Sequence, residues 1–211
     1  MLSRANKEPA CGFVKDAWSM NGLSKIAKTR ASKVMGIDCS THSLAFCIMY
    51  NRKPVKWGKI NFEGADVFER LSDAADKLRA VKDEFDVDYI AFEAAIMAKV
   101  KNPDVTIKLA MVYGACIAEL MRKGVKVITV NPLTWQSYIG NPNFKKAEKE
   151  QLRVDFPDKS TVWYSSKTRE LRKQKTMDFF NKKWPAMAID DNDVGDACGI
   201  AYWAYYTQTT R

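Results

Sequence analysis

The sequence predicts an α/β fold, a mixed β-sheet flanked by helices. Three observations predict it: short apolar runs bounded by turn signals, two stretches with helical spacing between them, and the order in which these alternate. Hydrophobic residues make up 46% of the 211 and charged residues 28%, enough for a core and too much order-promoting content for a disordered or fibrous chain.

The elements follow in order. Val34–Asp38 is an apolar run ending in a carboxylate, and Leu44–Tyr50 is continuously apolar. Asn51-Arg52-Lys53-Pro54 is a turn signal leading into Val55–Phe62, so the three runs read as an antiparallel meander. Val67, Leu71, Ala74, Leu78, Val81 and Phe85 fall four and three apart, one stripe on a helix. Val87–Phe92 is a strand that ends at Glu93. Val105, Leu109, Val112, Cys116 and Leu120 mark a second amphipathic helix, closed by Lys123-Gly124. Val125–Val130 is a buried strand, and Asn131-Pro132 starts a short helix. Residues 140–168, with Gly140, Pro142, Pro157 and many charges, read as an irregular insertion. Lys167–Lys183 is a basic helix, and Asp191–Tyr206 a final helix with Val194, Ala197, Ala201, Ala204 and Tyr205 on its buried side.

Charge narrows the function classes. The net charge is +9, which favours a polyanionic partner, nucleic acid ahead of a membrane surface. Residues 1–33 carry +5 and residues 140–183 carry +6, so the rest is slightly acidic. That layout suits an enzyme acting on nucleic acid; two solubilising surface segments are the alternative. Residues 1–33 show no hydrophobic period and read as a basic, loosely ordered arm, with the folded domain at 34–211. No apolar run approaches the roughly 20 residues a membrane span needs. No secretory signal is evident, and organellar targeting stays open. Five cysteines without a CxxC pair, and a single histidine, argue against a disulfide scaffold or a zinc site.

Four acids stand in unusual places. Asp38 and Glu93 end strands, where α/β sheets open into a crevice. Asp193 and Asp196 are three apart, on one face of the last helix. Individually each has a structural explanation, such as a strand-end cap for Glu93 or a helix N-cap for Asp193. Together they form an oxygen-only donor set suited to Mg²⁺ or Mn²⁺. Two such ions can activate water and stabilise the leaving oxygen in phosphodiester hydrolysis.

Gly36-Ile37-Asp38 with Ser40, Glu93-Ala94-Ala95-Ile96-Met97-Ala98-Lys99, Lys108-Leu109, Gly114, Gln136-Ser137-Tyr138-Ile139-Gly140 and Asp193-Val194-Gly195-Asp196-Ala197 together resemble the RuvC-type Holliday-junction resolvases. The resemblance runs from about Val34 to Thr207, and its most specific parts are the Glu93–Lys99 stretch and the Asp-x-x-Asp-Ala helix. It implies a ribonuclease H-like fold and a structure-selective endonuclease that resolves four-way DNA junctions. Asp38, Glu93, Asp193 and Asp196 would be its catalytic, metal-binding acids, with two Mg²⁺ or Mn²⁺ ions between them. Implied DNA contacts are Ile96 as an apolar wedge, Lys99, and Arg172, Lys173 and Lys175 of the basic helix. Trp135 stands where the family has a basic residue, and is a further DNA-contact candidate. The resemblance also implies a homodimer and no membrane partner. Apolar Met111, Ile117 and Met121, beyond the main stripe of the Val105–Leu120 helix, make that helix a candidate for the interface; a broad stripe wholly inside the protomer is the alternative. The location would be cytoplasmic or nucleoid-associated, or host cytoplasm for a viral branch. Two other classes remain for comparison. An actin-like ATPase shares the Gly-Ile-Asp start but needs a second Asp-Gly phosphate loop and a Gly-Gly motif, which are missing. A non-catalytic DNA-binding protein would normally have lost an acid, and all four are here.

Overall fold

The computed structural model describes residues 32–94, 103–121 and 124–209. The expected N-terminal arm therefore lies almost wholly outside the described residues, as do Ile96 and Lys99. A five-stranded sheet has the order β3-β2-β1-β4-β5. Its strands are β1 (Val34–Cys39), β2 (Ser43–Tyr50), β3 (Lys53–Asn61), β4 (Tyr89–Glu93) and β5 (Lys126–Val130). β1, β2 and β3 form the antiparallel meander, while β4 and β5 run parallel to β1, so the sheet is mixed.

Helices cover both faces. α1 (Val67–Phe85) and α2 (Pro103–Leu120) pack on one, against Met35, Ile37 and Cys39 of β1. α6 (Asn192–Gln208), with α3 (Pro132–Tyr138) and the end of α5 (Thr161–Lys183), packs on the other, against Val34 and the alternate residues of β2. This alternation is the period of two of a strand, and it explains why β1 reads as an unbroken apolar run: it is buried on both sides. Gly36 faces α6 so closely that a Cβ there would lie 2.3 Å from the Ala201 nitrogen and 2.4 Å from the Ala197 carbonyl oxygen. Only glycine lets the helix rest on the strand backbone. That contact fixes where α6 begins relative to the end of β1.

Local signals set the ends. Asp66 caps α1 by accepting hydrogen bonds from the Phe68 and Glu69 amides at 2.8 and 2.9 Å. Asp191, not Asp193, caps α6, accepting from the Asp193 and Val194 amides at 2.8 and 3.1 Å. Asp193 is thereby released from the capping role and faces the site.

Residues 140–168 are not irregular. They contain α4 (Lys146–Asp155), and α5 starts at Thr161 rather than Lys167. The reason is local: the Glu148 carboxylate accepts from the Lys145 amide at 2.7 Å, and Gln151 reaches Asp155 at 2.8 Å one turn on. Ser160 caps α5 through the Trp163 amide. Only Leu152 of α4 is buried, so the helix leaves almost no apolar period in the sequence. On α2, Val105 is 51% exposed instead of buried, and Ile107 is 61% exposed. Among the described residues no helix is long and apolar enough to cross a membrane.

Candidate active site

The sheet registers bring two of the acids together. Gly36 pairs with Ala91 and Ile37 with Phe92, so the parallel register carried one residue further sets Asp38 beside Glu93. Both follow the alternation of their strands onto the α6 face. α6 starts over these strand ends, and Asp193 and Asp196 in its first turns complete the group. The four carboxylates act on one another through space: Asp196, Glu93 and Asp193 all push up the Asp38 carboxyl.

The cluster divides by solvation. Burial, followed by the repulsion of Asp196, Glu93 and Asp193, raises Asp38 from 3.8 to about 8. Burial likewise raises Asp196 to about 7, against the opposing pull of Lys173. Glu93 is also raised by burial, less so because Trp135 and nearby cations favour its charged form. Asp193 shows the opposite balance. Burial pushes it up, but hydrogen bonds from Lys59 at 2.7 Å and Lys173 at 3.2 Å outweigh that and hold it below its ordinary value. Asp191 is lowered in the same way, with Lys59 at 3.0 Å and two backbone amides overcoming its burial.

Beside two of the acids lies a cleft of about 510 Å³, bounded by α3, the loop before α4, α4 itself and α5. Glu93 and Asp196 are at its wall with Lys149, Arg169, Arg172 and Lys173. Asn141 ties the loop to α5, donating to the Arg172 carbonyl at 2.7 Å and to the Thr176 hydroxyl at 3.0 Å. The Arg172 guanidinium hydrogen-bonds Gln136 across the cleft. Lys175 lies over the Phe144 ring at 4.6 Å, on the outer side.

The expected site residues therefore have different placements. Asp38, Glu93, Asp193, Asp196, Arg172 and Lys173 meet in one place, and Lys175 flanks it. Trp135 does not line the cleft. It is 0% exposed, and its indole N–H donates to Glu93 Oε1 at 2.7 Å. A ring sealed in the core cannot touch DNA, so the expectation of a surface contact there is corrected. Two residues that the sequence did not single out belong to the site. Lys59 comes from β3, 134 residues from Asp193 in the chain. Tyr113 of α2 accepts a hydrogen bond from the Cys39 amide at 3.2 Å, and burial followed by Asp38 keeps its phenol protonated. Nothing in the sequence pattern singled out either Lys59 or Tyr113.

The donor set can be tested against a divalent cation. Its side chains offer oxygen alone, and two of them carry carboxyl groups pushed to about 7 and 8 by burial and mutual repulsion. A hard cation removes that penalty by favouring the ionised forms. Among the described residues no group of three or more His, Cys, Asp or Glu side chains is arranged to hold a metal ion as it stands. Lys173 instead stands 3.2 Å from Asp193 and 4.0 Å from Asp196. The chemistry of the donors fits Mg²⁺ or Mn²⁺.

Comparison with known proteins bears on this geometry. A family model described as crossover junction endodeoxyribonuclease RuvC matches residues 34–155, more than half of the chain. No curated protein matches significantly. Among solved structures, Thermus thermophilus RuvC in complex with a Holliday junction substrate aligns with a TM-score of 0.57 at 14% identity, covering 84% of this chain and 96% of that chain. Another Thermus thermophilus RuvC structure gives 0.55 at 15% identity, with 83% and 95% covered. A yeast mitochondrial Holliday junction resolvase aligns at 0.45 and 14%, with 85% and 80% covered. The likeness to the two Thermus structures shows a shared fold, the ribonuclease H-like mixed sheet.

Proposed function

Because this chain belongs to the RuvC family of crossover junction endodeoxyribonucleases, we propose that it resolves four-way DNA junctions by metal-dependent hydrolysis of a phosphodiester in each of two opposing strands. The observation that carries the reading is the convergence of Asp38 and Glu93, set side by side by the β1–β4 register, under the two acids of α6. Asp38, Glu93, Asp193 and Asp196 are the residues that would hold two Mg²⁺ or Mn²⁺ ions. When bound, such a pair supplies an activated water and charge stabilisation for the leaving oxygen.

The chain's own residues do the remaining work. At neutral pH in the free site Asp38 is mostly protonated and Asp196 about half so, and a bound cation would favour the ionised form of both. Lys59 and Lys173 keep Asp193 ionised. Lys149, Arg169, Arg172 and Lys173 line the cleft with charge of the sign that phosphates require, and they fix a strand in position without reading its sequence. The basic arm at residues 1–33 and Lys175 extend that grip along the duplex arms. Lys99 and Ile96 follow directly after the Glu93 strand and serve as a phosphate contact and an apolar wedge.

Two matched cuts call for two identical sites related by a two-fold axis, which a C2 homodimer provides. α2 offers a surface for it. Val105 and Ile107 are more than half exposed and Met121, just past the helix, nearly so, whereas Ile117 packs against the core and drops out of the expected face; a Cβ at Gly114 would meet nothing within 4 Å. The protein would act wherever branched DNA forms: a nucleoid, an infected host's cytoplasm or an organelle.

A nuclease assay with Mg²⁺ on four-way, three-way, flap and linear duplex DNA tests the proposal. Symmetric paired nicks on the four-way substrate are expected. Equal cutting of linear duplex rejects junction selectivity, and preferred cutting of flaps reassigns the substrate.

A further inference from the structure

We infer that Trp135 is a positioning residue for Glu93: its indole N–H holds one carboxylate oxygen and leaves the other for the divalent cation. The inference rests on the metal-binding reading of the four acids. It assigns to this chain a tether made of three parts, one each from β4, α3 and α6.

The first part is the hydrogen bond itself. At 2.7 Å from Nε1 to Oε1 it has the length of a charge-assisted bond. An indole N–H is a donor only, is neutral, and is not lost by titration in the range where the enzyme works. It therefore restrains the carboxylate without adding a positive charge that would compete with a metal ion. A lysine or arginine at position 135 would restrain it and compete as well.

The second part is the rigidity of the donor. Trp135 is fully buried in the short α3, whose start is fixed by Pro132 and by the Asn131 side chain accepting from the Leu133 amide at 2.9 Å. The ring has no room to change rotamer.

The third part is its seat on α6. A Cβ at Gly199 would lie 2.3 Å from Cζ3 and 2.4 Å from Cε3 of Trp135. Glycine is a poor residue for a helix interior, so its presence needs a packing reason. Here the six-membered ring rests on bare helix backbone, three residues after Asp196 and thus on the same side of α6. One helix carries both a catalytic acid and the notch that seats the clamp on another. The spacing of Glu93 from Asp196 is in this way set through Trp135.

The test separates the donor from the packing. Trp135→Phe removes the N–H together with the outer ring and leaves a hole against Gly199. The pair Trp135→Phe with Gly199→Ala puts a methyl group into that hole, restoring volume but not the donor. Mn²⁺ binding is followed by electron paramagnetic resonance on wild type, the single variant and the pair. The expected result is Mn²⁺ affinity about 10- to 100-fold weaker in the folded double variant, the loss typical of removing a group that orients a metal ligand. A folded double variant with wild-type Mn²⁺ affinity overturns the inference. A wild-type protein that binds no Mn²⁺ overturns the metal reading, and the tether's role with it.

A second readout does not depend on the double variant folding. The chain has six tryptophans. In ¹⁵N-labelled full-length protein, the indole resonance that moves on Glu93→Gln is expected to move on titration of wild type with Mg²⁺. If no indole resonance responds to either, the tether is not present in solution and the inference fails.

Discussion

The two sides of the carboxylate cluster differ in how their charge is met. Asp38 and Asp196 lie deep at the end of β1 and the start of α6, and their carboxyl groups are pushed up to about 8 and 7. Asp191 and Asp193, one turn further out, are held below the ordinary carboxylate range by Lys59 and Lys173. The same residue type at the same helix end thus behaves in opposite ways. What differs is the balance: hydrogen bonds from lysines outweigh burial in the outer pair, whereas in the inner pair burial and other carboxylates outweigh the pull of Lys173. The inner side holds the unmet demand for positive charge, and a cation gains most there.

The largest expected effect comes from the inner side. Asp38→Asn should reduce cleavage of a four-way junction by about a thousandfold or more, at the upper end of what one preorganised group contributes to a transition state. Junction binding should be largely kept, since phosphate contacts come from cations. Single-turnover cleavage beside a gel-shift titration checks both. Wild-type cutting by this variant would place the chemistry elsewhere.

The same substitution should stabilise the metal-free protein. A carboxyl group whose folded pKa is about 8, against 3.8 in its ordinary state, binds its proton more tightly when folded. Its contribution is therefore most favourable below about pH 4 and is lost progressively as the pH rises to 8. At pH 8 in EDTA, Asp38→Asn is expected to gain on the order of 2 kcal/mol, a fraction of the roughly 5 kcal/mol that the full shift would give, because the buried amide keeps part of the desolvation cost. In a chain of this size that is roughly 4–8 °C in thermal midpoint. A lower midpoint would mean that the buried carboxylate is already paid for by a partner.

Activity should show the reverse pH trend. Metal binding needs Asp38 and Asp196 ionised, so at limiting Mg²⁺ the rate should climb between pH 6 and 8, by about tenfold per unit where one proton is released. Saturating Mg²⁺ should move the rise to lower pH. A flat profile under both conditions would break the contrast between the two sides.

Smaller effects belong to the outer side. Lys59→Met leaves Asp193 with Lys173 alone, and a loss of about tenfold in cleavage is expected, as for a group that orients a metal ligand. If the loss instead matches that of Asp38→Asn, the outer side is as critical as the inner one. The smallest effect serves as a control. Lys108 and Asp104 pair at 2.6 Å on the open surface of α2, and Asp104→Asn should shift stability by no more than about 0.5 kcal/mol.

Much of this was legible in the chain itself. Val34–Asp38 reads as a strand because both of its faces are buried, and the Val67–Phe85 stripe reads as a helix because one face is. The four acids stand out because a carboxylate at the end of an apolar run has no local reason to be there. The basic segments show in simple counting. By contrast, α4 is invisible to periodicity because only Leu152 is buried, and caps and one-turn pairs on its surface carry it instead.

What only the tertiary structure decided has one physical reason: it depends on contacts between distant segments. Trp135 reads as an exposed candidate until Gly199, 64 positions away, is seen to give it a seat in the core. Lys59 reads as one surface lysine among many until the edge strand carries it to Asp191 and Asp193. Asp193 reads as a possible helix cap until the start of α6 shows Asp191 in that role, freeing Asp193. The sequence alone determined which residues carry charge and which strands and helices bear them. Whether each charge is buried, repelled or paired was set by packing, because desolvation and Coulomb energies depend on neighbours in space and not along the chain.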